Sequence, residues 1–191
     1  MRVLVVPEDP VKDRYILKPV VEQIFDDLGR PKTRVDVLEN PRLQGVAEAL
    51  SKKILADIVE GARYQMIDLF LILVDRDGEA SRSHVAAERE QDHPNRLFVC
   101  LAVEEVQVWM LALHRDAIKA PWRQVRAEHH PKETFAEPFL VERAPRGNPG
   151  RGRAWAMHSL DRKAWRVLLD LCPELDNLKQ KIAAVLTSRG A

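Results

Sequence analysis

The chain has 191 residues, of which 46% are hydrophobic and 31% charged, with 30 Lys and Arg against 29 Asp and Glu. That length suits one domain, or one domain with an appendage, and it can bury a real core; the even charge balance by itself names no partner. No apolar run approaches the roughly 20 residues that span a bilayer, and the start Met1–Val6 meets Glu8 and Asp9 too soon for a secretory signal, so the expectation is a cytoplasmic protein with no membrane partner.

Arg2–Val6 is a short apolar strand that stops at Pro7-Glu8-Asp9-Pro10, because proline cannot continue a central ladder. Ile16, Leu17, Val20, Val21, Ile24, Phe25 and Leu28 follow at helical spacing, with Gly29 where a C-terminal cap belongs. Thr33–Leu38 alternates as a second strand nearer an edge. Leu43, Val46, Leu50, Ile54, Ile58 and Ala62 predict one further amphipathic helix. Leu69–Val74 is unbroken apolar sequence, the pattern of a strand buried on both faces at the centre of a parallel sheet. Ser83–Gln91 reads as an exposed helix whose Glu88, Glu90 and Asp92 form a solvated face, and Arg96–Ala102 as a fourth buried strand leading to a helix with Trp109, Met110 and Leu113. The alternation predicts an α/β domain over residues 1–118, a parallel sheet of about four strands flanked by helices.

From Lys119 the character changes. Residues 119–153 hold five of the 12 prolines, and Arg143-Ala-Pro-Arg146-Gly-Asn-Pro-Gly-Arg151-Gly-Arg153 is rich enough in glycine and proline to predict a mobile basic loop. Residues 154–191 close the chain with two helices, Ala164–Cys172 and Leu175–Leu186, packing on the same domain. Acids outnumber bases before residue 119 and bases outnumber acids after it, one arrangement that binds a cation with the first part and phosphates with the second. Arg143, Arg146, Arg151 and Arg153 are accordingly candidates for holding a nucleic-acid backbone, the alternative being a solubilising loop. Trp122 and Trp155 read as anchors of that loop rather than base-stacking platforms. Cys100 and Cys172 read as core residues.

Three strands end in acids: Glu8 and Asp9 after the first, Asp75 and Asp77 after the third, Glu104 and Glu105 after the fourth. In a right-handed parallel sheet these ends share one edge, where ligands bind. Asp75 and Asp77, two apart in extended chain, point to one side and suit Mg²⁺ or Mn²⁺. The alternative is an acidic turn that caps the next helix. His129-His130 is set aside as a metal pair, since adjacent side chains diverge.

Glu8 after the first strand, Asp75-Arg76-Asp77 after the third and the segment Ala102-Val103-Glu104-Glu105-Val106-Gln107-Val108-Trp109 resemble the Toprim fold of topoisomerases, primases and overcoming-lysogenization-defect nucleases. More narrowly, with His130-Pro131-Lys132-Glu133, the chain resembles a Toprim-like family of bacterial proteins often encoded beside an ATPase in defence loci. The resemblance implies Mg²⁺- or Mn²⁺-dependent phosphodiester cleavage of DNA or RNA. In it Asp75 and Asp77 hold the ion, Glu8 is a second ligand or general acid/base, Glu105 completes the site, and Lys132 stabilises charge on the phosphate. An ATPase partner is implied too, and a homo-oligomer stays open. Two positions depart from the pattern: Pro7 precedes Glu8 with no glycine after it, and Gln107 stands where relatives often carry Glu. These departures favour an alternative, a catalytically inactive Toprim-like module that binds an ATPase. A third reading is a receiver-like phosphoacceptor domain, which lacks a second acid two residues beyond its acceptor and needs a fifth strand ending in lysine.

Overall fold

The computed structural model describes residues 1–190. It is an α/β fold whose single sheet has four parallel strands in the order β2-β1-β3-β4. The strands are β1 (Arg2–Pro7), β2 (Arg34–Val37), β3 (Leu69–Asp75) and β4 (Leu97–Ala102). Between and after them run α1 (Arg14–Asp27), α2 (Val46–Ala49), α3 (Lys52–Gly61), α4 (Arg82–Asp92), α5 (Gln107–Leu113), α6 (Trp122–Ala127), α7 (Glu137–Arg143), α8 (Arg153–Met157), α9 (Arg162–Leu171) and α10 (Pro173–Gly190).

The two-residue period of the strands sorts their side chains into two cores. Val3, Val5, Leu69, Leu71, Leu73, Phe98, Cys100 and Ala102 face the layer of α1, α5, α9 and α10. Leu4, Val6, Phe70, Ile72, Val74, Leu97 and Val99 face the layer of α2, α3 and α4. Every residue from Leu69 to Val74 is buried, so truncating Leu71 to Ala should cost about 2–5 kcal/mol. In register, Val6 pairs with Ile72 and Asp75 with Ala102, which brings the carboxyl ends of β1, β3 and β4 to one edge. The strand order reverses between β1 and β3, and that crevice is where open α/β sheets place their ligands.

Several segments differ from their sequence expectation. The stretch from Leu43 to Ala62 is two helices: the Ser51 hydroxyl accepts from the Ile54 N–H at 3.4 Å and caps α3, so the chain turns after Leu50 instead of continuing. The acids of α4 are not merely solvated, since Glu90 accepts from the Val99 N–H at 2.9 Å and from Lys181 Nζ at 2.9 Å. The basic segment is packed, not a free loop. It runs from the last residue of α7 through a 3₁₀ turn at Pro149–Gly152 to the first residue of α8. Gly150 lies at φ +63° with a Cβ position only 2.4 Å from the Tyr15 ring, so glycine is there for close approach and a left-handed backbone. Trp155 stacks on His114 with ring centroids 5.7 Å apart, and Trp122 packs partly buried against the core. Glu174 at the start of α10 accepts two bonds from Arg126, at 2.8 and 3.0 Å, and one from Trp109 Nε1 at 2.9 Å, tying α6 and α5 to the closing helix. Both cysteines are buried in the core. No helix among the described residues is long and apolar enough to cross a membrane.

Candidate metal centre

β3 ends at Asp75, and the chain turns at once through Asp77 at φ +47° and Gly78 at φ +71°. The turn demands a glycine, because a Cβ there would lie 3.2 Å from His129 Nδ1 in a backbone region that disfavours side chains. β4 ends at Ala102, and the next turn carries Glu104 and Glu105 into the start of α5. One carboxylate oxygen each from Asp75, Asp77 and Glu105 lie within 4.8 Å of one another. Ligand oxygens around a Mg²⁺ ion at about 2.1 Å stand at most roughly 4.2 Å apart, so a small side-chain adjustment closes this set on one hard cation.

The triad is held from behind. Asp75 Oδ1 accepts from the Val106 N–H at 2.7 Å, and Glu105 Oε2 accepts from the Lys132 N–H at 2.6 Å. Burial pushes the Asp75 carboxyl up to about 8, against the pull of the Val106 N–H, with the charges of Asp13, Glu8 and Asp77 adding to the rise. Burial also raises Glu105, the Lys132 N–H opposing it. Burial without a paired cation favours the protonated forms of Asp75 and Glu105, and a divalent ion would compete with those protons. The donor set and its electrostatics therefore fit a divalent metal.

Glu8 is near but not in the triad. Its pKa is raised, first by burial and then by Asp77, and its Oε2 is buried with no hydrogen-bond partner among the described residues. Its Oε1 stands 4.0 Å from the Cβ position of Gly45, on the segment after β2. Lys132 brings its backbone to Glu105 while Nζ sits 3.5 Å from Glu133; burial would lower its pKa, but Glu133 and Glu105 raise it. Its ammonium also acts on Glu8 and pulls that carboxyl down, so its charge lies among the acids.

The basic residues divide. Arg143, Arg146 and Arg151 are exposed, whereas Arg153 is 1% exposed and corrects the expectation that it contacts nucleic acid. Glu104 is turned away from the triad and accepts from Arg76 and from the Gly78 N–H. Gln107 is 3% exposed and bonds Asp13, so it lies outside the ligand set for a reason other than its missing charge.

Three participants were not legible beforehand. Arg82 Nη1 donates to Asp77 Oδ2 at 2.5 Å and to the Asp75 carbonyl at 3.0 Å, gripping the turn. Asp13 lies before α1 with its carboxyl pushed up to about 7 by burial, against the opposing charge of Arg153; in sequence it is an ordinary acid before a helix. His130 was set aside, yet it and Glu133 bring ligand atoms within 4.8 Å of Glu105, because the turn before Lys132 folds back on that residue. A cleft of about 560 Å³ lies elsewhere, between β2 and α3, lined by residues such as Leu4, Arg42, Leu43 and Ile58 and by none of the triad.

Comparisons with protein-family models, with curated proteins and with solved structures return no match for this chain.

Proposed function

We propose that the chain is a Mg²⁺- or Mn²⁺-dependent nuclease, or the nuclease subunit of a bacterial defence-type system, built on a Toprim-like domain. The observation that carries this reading is the convergence of Asp75, Asp77 and Glu105 beyond the carboxyl ends of β3 and β4, on the edge of the sheet where such folds bind ligands. Those three carboxylates would hold the ion. When bound, a divalent ion there supplies Lewis-acid polarisation of a phosphoryl oxygen and a more acidic water. Glu8, partly buried and favouring its proton, is suited to donate that proton to a leaving oxygen or to join the ligands. Lys132 offers its charge to the phosphate, and the exposed Arg143, Arg146 and Arg151 are backbone contacts for DNA or RNA. The resemblance to proteins encoded beside an ATPase supports an ATPase partner.

A second reading, the inactive interaction module, draws support from Arg82, which already occupies an oxygen of Asp77 and competes with a metal for it. The receiver-like reading loses ground because the sheet of the described residues has four strands and no fifth to carry the required lysine.

The test is to incubate the protein with end-labelled single-stranded DNA, duplex DNA and RNA, in Mg²⁺, Mn²⁺ or EDTA, beside Asp77→Asn. Cleavage that needs metal and disappears in the variant supports the nuclease. Metal binding without cleavage of any substrate, alone or with an ATPase partner, moves the weight to the inactive module.

A further inference from the structure

Three distant parts of the chain meet behind the acidic centre, and each contributes a buried polar side chain. Asp13, 7% exposed, accepts at Oδ1 from Gln107 Nε2 at 3.1 Å, across 94 positions of sequence. Its carbonyl meanwhile accepts from the Ile16 and Leu17 N–H groups, both at 2.8 Å, so its backbone is locked into the start of α1. Arg153, the first residue of α8, is 1% exposed and donates from Nη1 to the Gly150 carbonyl at 3.1 Å. Its Nε and Nη2 meet no hydrogen-bond partner among the described residues, and of the cations near Asp13 it is the one that most opposes the rise of that carboxyl.

Gln107 is the third of three consecutive residues that each reach a different part of the fold. Glu105 takes the Lys132 N–H through its side chain, Val106 gives its N–H to Asp75, and Gln107 gives its amide to Asp13. Two of those residues set the triad directly: Glu105 belongs to it, and Val106 orients Asp75. A leucine or methionine would fill the volume of Gln107 equally well but would impose no direction on the segment. A buried hydrogen bond does impose one, at the cost of desolvating both partners.

We infer that Asp13 and Gln107 form a brace that sets the position of Glu105 and Val106, and through Val106 that of Asp75. Asp13 and Gln107 are positioning residues of the acidic centre; they touch no ligand. Their effect on metal binding rests on the proposed function above, while their effect on Val106 does not.

The test uses Gln107→Met, which removes the bond at nearly constant volume, and Asp13→Asn, which keeps an acceptor for Gln107. In metal-free protein, NMR-detected hydrogen exchange at the Val106 amide should quicken about tenfold in Gln107→Met relative to amides of β1, and stay within about threefold of wild type in Asp13→Asn, the scale of one hydrogen bond. Mn²⁺ affinity, titrated calorimetrically, should weaken in the same order. Val106 exchange in Gln107→Met equal to wild type, or raised only in step with the β1 amides, overturns the brace, as does an Asp13→Asn protein no better than Gln107→Met. Selective quickening at Val106 in Gln107→Met, where the wild type itself takes up no Mn²⁺, supports the brace and overturns the metal reading.

Discussion

Asp75 and Glu105 each lie one residue from the members of another charged pair, Arg76 and Glu104, yet the same two turns treat the pairs in opposite ways. Glu104, although buried, accepts from the Arg76 guanidinium and the Gly78 N–H; burial alone would raise its carboxyl, and these donors hold it below its ordinary range. Asp75 and Glu105 receive one backbone N–H each and are paired with no cation, so burial keeps both raised. One pair is satisfied and clips the turns together. The other is left with unmet demand for positive charge, and only the second has chemistry to offer. Alternation along the chain separates clip from centre, so a shift of one residue in either turn would exchange them.

Of changes to these two charged pairs, breaking the clip should have the largest effect on stability. Arg76→Ala leaves Glu104 buried without its partner and should destabilise the protein by about 2 kcal/mol, less than the roughly 3–5 kcal/mol of a fully buried pair because Arg76 is itself partly in solvent. Urea denaturation checks this, with an unchanged m-value expected. Metal uptake by the folded fraction should persist, which distinguishes clip from centre.

The centre should respond in the opposite sense. Asp75→Asn keeps an acceptor for the Val106 N–H and removes a charge that burial disfavours. At pH 8 the metal-free variant should be at least as stable as wild type, by up to about 1 kcal/mol, while losing metal binding. The pH profile follows. A raised carboxyl stabilises the fold fully below its unfolded pKa, near 4, and that contribution is lost as pH rises to the folded value of about 8. Metal-free wild type should therefore lose stability steadily from pH 4 to 8, with Asp13, at about 7, adding to the slope, and Asp75→Asn should flatten it. A chemical-denaturation series across pH reads both.

Much of this contrast was legible from residue patterns. The apolar run Leu69–Val74 announces a doubly buried strand, and the recurrence of acids after three strands announces a shared edge. The residues themselves do not say which acid is clip and which is centre, because Glu104 and Glu105 are chemically identical neighbours that only the direction of the turn after β4 separates; the choice of Glu105 rests on the resemblance alone. Arg153 misled for a related reason: a glycine- and proline-rich segment reads as mobile when the glycines serve close packing, as Gly150 does against Tyr15. Gln107 read as a lost ligand, since its partner Asp13 is 94 residues away and no local pattern links them.

The exposed basic residues carry the smallest expected effects. Arg146→Ala should change stability by less than about 0.5 kcal/mol. In the nuclease reading it should weaken DNA or RNA binding a few-fold and reduce the salt dependence of binding by about one phosphate contact. Fluorescence anisotropy at several salt concentrations measures this.

The central claim, that Asp75, Asp77 and Glu105 form a divalent-cation site, is tested most directly by melting the wild type and the Asp75→Asn/Asp77→Asn variant in EDTA, Mg²⁺ and Mn²⁺. A ligand that binds only the folded state must raise its melting temperature by mass action. The account expects metal to raise the wild type by several degrees at pH 8 and leave the double variant unmoved. Equal melting temperatures for the wild type in EDTA and in millimolar Mn²⁺ would contradict it.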